Sequence, residues 1–535
     1  MLYGVKELGS VGVVTDVTPS RLPDNAFSRG KNVRFDEMSV TRSPVFRNIS
    51  TLAFEPRIAM GLMPTAGGFS TVVAVSPTYQ INEYANGSVS SKNGSISTTS
   101  SSDVPFTTTT LADVDYINRP DRVPVFRLPA GTNFADLTNW DATWRTKSLR
   151  AFGDFLLAIN TTEGATEYSQ RVRWSHTALA NNIPDSWDAT NAAKSAGFND
   201  LAQLKTPLVD GAALSTNFVV YSSDEAYLIE FVGGTFIFNF RKLFENSGVI
   251  NQNCIVEVDK LHFVFGKDDI YKHDTHTKKS ICDQIVKDYI FNGMDTSAYD
   301  KCFIAHNQSI EEIMFCYKSN DDMAEFTSGS RCNRAAIYNY RTSTWSFQDL
   351  PNVSAATTGA IASTQTYANT TQIYSTAGGT YNSQGSGFDT HLLFVGSSSA
   401  SDGLSNHSLF GLDSADSATL GFPIDVAANK APFLERTGID MDESNPISGQ
   451  KVLSRVTPQV VTNNTDKTFE FTFGASPMIS TAPTYEGTVT FDAAVDYKVD
   501  SRASGRYLSY KFSVPTNKDF NLTGFDAEVA IVGRR

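Results

Sequence analysis

The feature that most constrains the fold of this 535-residue chain is a strand–turn–strand unit that returns at a nearly constant interval. Each copy has an apolar run, a polar turn and a second strand-like run, and the copies start 43 and 41 residues apart: FVVYSSDEAYLIEF (218–231), LHFVFGKDDIYKHD (261–274) and CFIAHNQSIEEIMFCY (302–317). A period of about 40–50 residues with about four strands per period is typical of propeller blades. We therefore predict a mainly β fold built on a β-propeller of four-stranded blades.

Other segments fit the same scheme. Three runs after the repeated units predict outer strands: GGTFIFNFRKLF (233–244), SICDQIVKDYIF (280–291) and AAIYNYRTSTWSFQDL (335–350). Further strands are expected at 70–84, 152–162 and 391–398. Hairpins of a β-sandwich would give a similar spacing, so a sandwich remains the alternative fold.

The chain divides into three predicted parts. Residues 1–50 are an N-terminal arm that either closes the propeller or joins a platform, 51–420 form the propeller body, and 421–535 form a C-terminal β-domain that serves as the platform or makes inter-subunit contacts. In the last part, apolar and polar residues alternate with the period of two that half-buried antiparallel strands show. The segments 86–112 and 353–390 are rich in Ser, Thr, Gly and Asn and are expected to be long surface loops.

Composition restricts the possible partners. The formal net charge is −13, which argues against binding nucleic acid through clustered Lys and Arg, although like charge would keep DNA from sticking to a channel wall. No apolar run reaches the length of a membrane span, and the first residues lack the pattern of a signal peptide. Five cysteines without CxxC spacing are expected to be reduced thiols: Cys254, Cys282, Cys302, Cys316 and Cys332.

Local catalytic signatures are missing from the sequence. There is no P-loop, GxGxxG, HExxH or GxSxG motif. The HDTH phrase contains His273 and His276, which would point to opposite faces of an extended strand, so a polar hairpin is the better interpretation than a metal site. We expect no catalytic, cofactor-binding or metal-binding residues and no enzyme activity.

The five tryptophans are expected to be large packing or interface anchors. Trp140-Asp141 and Trp187-Asp188 resemble the dipeptide of WD repeats, but the partnering Gly-His is missing and we regard the match as coincidence. The anchors are Trp140, Trp144, Trp174, Trp187 and Trp345.

Collinear phrases along the chain resemble the tail nozzle, or packaged-DNA stabilisation, proteins of short-tailed bacteriophages. The N-terminal stretch SRLPDNAFSRGKNVRFDEMSVTRSPVF (20–46) resembles the opening of that family, and RVRWSHTALANNIPDSWDAT (171–190) is similar to its W-S…P-x-S-W segment. Similar phrases follow in the expected order: YINRPDRVPVFRL (116–128), LTNWDATWRTKSLRAFGDFLLAIN (137–160), EAYLIEFVGGTFIFNFRKLFENSGVI (225–250), AAIYNYRTSTWSFQDLPN (335–352), RASGRYLSYKFS (502–513) and GFDAEVAIVGRR (524–535).

The resemblance implies a structural virion protein of the phage tail, made in the bacterial cytoplasm. Six copies would form a ring below the portal and an adaptor protein, hold the packaged double-stranded DNA without sequence-specific binding, and conduct it during ejection. Tail fibres or a spike, and a needle protein, would be further partners. A receptor- or carbohydrate-binding propeller is the alternative function, and an envelope glycosidase is a third.

A ring that retains DNA needs a loop that narrows its bore. The candidates are the segment 86–112 and two polar turns. The turns contain Ser223, Asp224 and Glu225, and Lys267, Asp268 and Asp269.

Overall fold

The computed structural model is mainly β, as predicted. It describes residues 2–62, 71–85, 88–99, 102–234, 236–321, 329–360, 390–396, 407–413, 432–440, 449–515 and 518–534. Two bodies are built from these residues: a propeller of four-stranded antiparallel sheets and a sandwich made mainly of the C-terminal strands. Both the propeller and the additional C-terminal β-domain are therefore confirmed.

The N-terminal residues supply strands to both bodies. These strands are β1 (Leu2–Lys6), β2 (Gly12–Val13), β3 (Ala26–Phe27), β4 (Arg29–Lys31), β5 (Val33–Asp36), β6 (Ser39–Arg42) and β7 (Val45–Thr51). Strands β1, β4, β5 and β6 pair with strands of the sandwich, whereas β7 pairs with the last blade of the propeller.

Five blades follow as antiparallel meanders in chain order. Blade 1 has β8 (Ile58–Leu62), β9 (Thr71–Val75), β10 (Ile81–Ala85) and β11 (Ser88–Ser91); blade 2 has β12 (Thr107–Leu111), β13 (Val114–Asn118), β14 (Val125–Arg127) and β15 (Ala135–Asp136); blade 3 has β16 (Arg145–Phe152), β17 (Phe155–Glu163), β18 (Thr166–Trp174) and β19 (Gly197–Asp200); blade 4 has β20 (Leu208–Leu214), β21 (Asn217–Ser222), β22 (Glu225–Phe231) and β23 (Phe238–Glu245); blade 5 has β24 (Ile255–Val258), β25 (Leu261–Phe265), β26 (Ile270–His273) and β27 (Lys278–Ser280).

Blades 6 and 7 share one long strand. After the helix α1 (Lys287–Gly293), blade 6 contains β28 (Phe303–Asn307), β29 (Glu312–Tyr317), β30 (Cys332–Asn339) and the first part of β31 (Thr344–Ala360). The pairing register of β31 shifts between residues 349 and 353, where Asn352 has a φ of 49°. The second part of β31 then pairs with β32 (Thr390–Gly396), β33 (Ser408–Asp413) and β7. The described residues thus form seven blades, the last of which is completed by a strand from the N-terminal arm.

The middle strands of the blades are nearly continuous apolar runs because both of their faces are covered by neighbouring blades. In β29 all six residues are buried, and in β21 five of six are. This explains why these strands were visible in the sequence as uninterrupted apolar segments.

The C-terminal strands form a sandwich of two antiparallel sheets. They are β34 (Phe433–Ile439), β35 (Gly449–Val461), β36 (Thr468–Ser476), β37 (Thr484–Tyr485), β38 (Val489–Asp492), β39 (Val499–Asp500), β40 (Ser504–Gly505), β41 (Tyr507–Ser513) and β42 (Asn521–Arg534). One sheet runs β39-β35-β42-β6-β5 and the other β37-β36-β41-β34-β4. Their facing sides bury an aromatic core that includes Phe471, Phe512 and Phe525.

Two details of the strand assignment were wrong. Residues 280–291 were predicted as an outer strand, but the segment ends in the helix α1. The buried residue of this helix, Ile290, lies one turn after buried Val286. The carboxylate of Asp16, 272 residues away, accepts the amide of Asp288 at 2.8 Å and so satisfies a free N–H in the first turn. The repeat unit at 302–317 also differs from the other two. It forms the first two strands of blade 6, whereas the units at 218–231 and 261–274 form the middle two strands of their blades.

Neither Ser/Thr-rich segment is simply a surface loop. Segment 86–112 contains β11 and β12, and β12 is the innermost strand of blade 2. Segment 353–390 begins with the second part of β31, and its residues 361–389 lie outside the described part of the chain. Inner strands crowd around the propeller axis, so small residues fit there. The Thr107 and Thr109 hydroxyls accept the Leu149 and Ala151 amides of the next blade at 3.2 and 3.0 Å.

Candidate functional site

The innermost strands of all seven blades surround a cavity of about 330 Å³ on the propeller axis. Its wall has one or more residues from each blade, among them Ile58, Thr108, Ala151, Gly211, Ile255, Phe303 and Ala355. Neighbouring inner strands are joined by hydrogen bonds, for example from the Gly61 amide to the Thr357 hydroxyl at 2.7 Å. The axis is therefore the place where all blades can contribute side chains to one site.

A buried ion pair spans one side of this cavity. Arg150 of blade 3 binds Asp210 of blade 4 through two nitrogens, at 2.8 and 2.5 Å, and also donates to the side-chain oxygen of Asn253 at 2.9 Å. Asp210 further accepts from the Ser148 hydroxyl at 2.5 Å and the Asn253 amide at 2.9 Å. Burial alone would raise the pKa of Asp210, but the Arg150 charge and these hydrogen bonds lower it overall.

Asn253 continues this network across the axis. Its side-chain nitrogen donates to the carbonyl oxygen of Phe106 in the lead-in to blade 2 at 2.9 Å. A polar connection therefore runs through four blades, from blade 3 to blades 4 and 5 and across to blade 2.

A second cluster of charges holds the segment that precedes Phe106. The carboxylate of Asp103 lies 2.5 Å from Lys301, 2.7 Å from Arg331 and 3.0 Å from Arg57. Burial would raise the pKa of Asp103, but hydrogen bonds from Lys301 and Arg331 and the neighbouring guanidinium charges lower it to about 2. Because Arg57 precedes blade 1 and Lys301 precedes blade 6, these ion pairs connect the segment before blade 2 to blades 1 and 6.

Two carboxylates at the cavity are paired with cations: Asp210 lies in its wall, and Asp103 contacts the wall residues Arg57 and Lys301. Asp210 is paired with Arg150, and Asp103 is surrounded by three cations. A glycosidase needs two carboxylic groups with different protonation states on either side of the bond. Here the pKa values of both carboxylates are lowered.

The HDTH phrase forms a turn with one buried histidine. His273 hydrogen-bonds the hydroxyl of Tyr221 at 2.5 Å, while Asp274 accepts the amides of His276 and Thr277 at 2.9 and 2.7 Å. Within the described residues, no group of three or more His, Cys, Asp or Glu side chains is arranged to hold a metal ion. All five cysteines are free and buried.

The two turns predicted as gates do not line the axial cavity. Glu225 is buried and pairs with Lys242 at 2.8 Å, and the backbone of Asp224 accepts the amide of Ser247 at 2.7 Å, while Ser223 lies against Gly248. In the other turn, Lys267 and Asp268 are exposed, whereas Asp269 accepts the Ser280 hydroxyl at 2.6 Å. A role for these turns in the bore of an assembled ring stays a prediction.

The five tryptophans pack inside the chain. Trp140 meets Trp187 and Trp144 edge-on between blades 2 and 3, with ring centroids 4.7 and 5.7 Å apart. Trp174 packs edge-on against Phe238 of blade 4 at 5.2 Å. The Trp345 indole donates to the Ile281 carbonyl at 3.0 Å. The two W-D dipeptides therefore mark one tryptophan cluster, not two equivalent blade positions.

Sequence reasoning missed the residues that organise the axis. Asp103, Arg150 and Asp210 stand in segments without a recognisable motif, and Asp103 follows a run of serines. The usable signal was the small-residue character of DGAA (210–213), because such residues suit the crowded inner strand of a blade.

Comparisons with known proteins leave the function open. No protein-family model and no curated protein matches the chain. Among solved structures, the "AfRom2 CNH domain" is similar with a TM-score of 0.35 and 9% identity, over 69% of this chain and 100% of that chain. A similarity this distant says nothing about function. Among the described residues, no helix is long and apolar enough to cross a membrane.

Proposed function

We propose that this chain is a structural subunit of a short-tailed bacteriophage tail. Copies of it form a ring-shaped nozzle below the portal and adaptor, which retains the packaged DNA and conducts it during ejection. The proposal rests on the resemblance along the chain, together with one structural observation about the segment in which that resemblance begins.

That segment, residues 20–46, joins the sandwich to the propeller. It contains β4, β5 and β6 of the sandwich sheets and the first residues of β7, which completes blade 7. Arg34 in its N-V-R-F phrase is buried and lies 2.7 Å from Glu312 and 2.5 Å from the side-chain oxygen of Gln348, both in blade 6. The neighbouring Asn32 donates to Asp349 at 3.0 Å. The phrase that suggests a nozzle protein thus lies at the joint between the sandwich and the propeller.

The propeller axis is too small to be the DNA channel. The cavity holds about 330 Å³ and is crossed by the Arg150–Asp210 and Asn253–Phe106 contacts. Duplex DNA has grooves that are by themselves about 8 Å deep, so it needs a far wider bore. In this proposal the channel lies between copies of the chain, and cyclic symmetry closes it. We expect acidic residues to dominate that channel, since like charge lets DNA slide.

Electron microscopy tests the proposal directly. The purified protein, or particles that carry it, should show a ring with an axial bore, and particles assembled without it should lose their DNA. Particles that keep their DNA but fail to adsorb to cells would instead favour a receptor-binding propeller. Turnover of host polysaccharide by the purified protein would favour a glycosidase.

A further inference from the structure

Two buried polar atoms of residues in the wall of the axial cavity have no hydrogen-bond partner within the described chain. These atoms are the Ser354 hydroxyl oxygen and the Arg57 Nε. Ser354 is 4% exposed and Arg57 is 5% exposed. Buried polar atoms are rarely left unpaired, and an unpaired one often marks the place of an ion or a water molecule. Both groups can donate a hydrogen bond to a ligand.

These two donors belong to neighbouring blades. Arg57 directly precedes β8 of blade 1, and Ser354 lies in the second part of β31 in blade 7. The Gly61 amide of β8 donates to the Thr357 hydroxyl of β31 at 2.7 Å, so the two strands lie side by side. The donors are therefore found where the last blade of the propeller meets the first.

Basic residues outnumber acidic ones in the cavity wall. The wall contains Arg57, Arg150 and Lys301, but its one acidic residue is Asp210. Arg150 and Asp210 pair with each other at 2.5 Å. Lys301 pairs outside the wall, with Asp300 at 2.6 Å as well as with the carboxylate that it shares with Arg57. Arg57 is thus the wall cation for which compensation has to be examined.

The carboxylates behind the wall compensate Arg57 only in part. Asp103 lies 3.0 Å from its Nε, but both oxygens of Asp103 accept from Arg331, at 2.7 and 2.8 Å. Glu55 also pairs with Arg331, and Asp300 offers Arg57 its backbone carbonyl at 2.9 Å. Burial and the Arg331 charge lower the pKa of Arg57 in spite of the nearby carboxylates. A further negative charge beside Arg57 would therefore be favourable.

We infer that the axial cavity binds a small oxyanion of the phosphate or sulfate type between Arg57 and Ser354. Its oxygens accept from the Arg57 guanidinium and the Ser354 hydroxyl, and its charge offsets the excess of basic residues in the wall. Arginine suits such a ligand because its planar group presents several donors to phosphate oxygens. At about 330 Å³, the cavity is at the lower end of the range for small-molecule sites, so it fits a small anion with some water.

The bound anion would connect the first and last blades of the propeller. Blade 7 is completed by β7 from the N-terminal arm, so this junction joins distant parts of the chain. An anion that binds only the folded chain stabilises it by mass action. This site lies inside one subunit, and the inference holds whether or not copies of the chain assemble into a ring.

Phosphate titration of the purified full chain tests the site in solution. At constant ionic strength, with chloride replaced by phosphate, calorimetry should show saturable binding of one phosphate per chain, and the urea midpoint should rise with phosphate concentration. Arg57→Gln and Ser354→Ala should each weaken binding about tenfold, as expected for the loss of a hydrogen bond to a charged group. Arg241→Gln removes an exposed positive charge from blade 4 and should leave binding unchanged.

Two further measurements keep the result decisive. Ser354→Ala removes only a hydroxyl and leaves every ion pair in place, so an unchanged phosphate affinity in this variant, with an unchanged melting temperature in chloride, overturns the inference whatever Arg57→Gln does. Crystals soaked in selenate should show anomalous density within hydrogen-bond distance of Arg57 and Ser354. Water alone at this position, selenate bound only elsewhere as an adventitious ion, or a phosphate effect no larger than that of chloride would each overturn the inference.

Discussion

A buried hydrogen-bonded chain between blades 4 and 5 should make the propeller sensitive to acid. His262 Nε2 lies 2.6 Å from the carbonyl oxygen of Ala213, which only accepts, so this nitrogen carries the proton. His262 Nδ1 then accepts from the Tyr221 hydroxyl at 2.8 Å, and the same hydroxyl oxygen accepts from His273 Nε2 at 2.5 Å. His273 Nδ1 accepts the Thr275 amide at 3.3 Å. Every donor has an acceptor only while both imidazoles are neutral.

The structure sets the size and sign of the effect. Burial lowers the pKa of His262 to about 4, and burial together with the nearby His262 ring lowers that of His273 to about 3. An unfolded histidine has a pKa of about 6.5. Between these values the unfolded chain binds more protons than the folded one, so stability falls as the pH drops below 6.5. From pH 7 to pH 4.5 each histidine should cost about 2.5 kcal/mol, and the two together about 5 kcal/mol.

Two measurements check this expectation. With only seven histidines in the chain, the ring signals of isotope-labelled histidine can be followed by NMR and assigned with His262→Gln and His273→Gln. Both signals should stay unchanged down to pH 5. Urea unfolding should show that His273→Gln loses about half as much stability on acidification as the natural chain. Titration of either buried ring near pH 6.5 in the folded protein would refute the reasoning.

Three further substitutions test how the propeller is closed. Asp210→Asn should cost about 3–5 kcal/mol because it leaves Arg150 charged without its buried partner, and a loss below 1 kcal/mol in urea unfolding would contradict the importance of that pair. Asp103→Asn should lower the free energy of unfolding by about 1–3 kcal/mol, less than Asp210→Asn does, because Asp103 is partly exposed. Added salt should reduce the difference in unfolding free energy between this variant and the natural chain. A difference that does not change with salt would argue against stabilisation by these ion pairs. Phe46→Ala, in the strand that completes blade 7, should cost about 3–5 kcal/mol and increase amide exchange in β33, whereas unchanged exchange would mean that β7 does not close the ring.

The propeller was predictable from sequence because its middle strands are buried on both faces. Runs such as FVVY and EIMFCY must be continuous and apolar there, and their spacing reveals the blades. Inner strands follow the opposite rule. Near the axis, small residues fit best, so TTTTL (107–111) and the residues from 353 onward look like loop sequence although they form strands.

Long-range contacts were hidden from the sequence for a different reason. The helix α1 depends on Asp16, and the axial network depends on Asn253 reaching the Phe106 carbonyl, yet neither pair has a local pattern. Phe236 was predicted as part of an outer strand but is exposed in the loop before β23, because an apolar residue looks the same in the sequence whether or not it is covered.

Buried ion pairs constrain the sequence of the N-terminal arm. Lys31 lies 3.1 Å from Asp349 and Arg34 lies 2.7 Å from Glu312, and all four side chains are buried. Removing one member of such a pair leaves a buried charge unpaired and costs several kcal/mol, so the residue types at a joint of this kind cannot change independently. The arm also connects the two bodies, because β5 and β6 belong to the sandwich and β7 completes the propeller only a few residues later. Residues 29–51 therefore link the sandwich to the propeller directly.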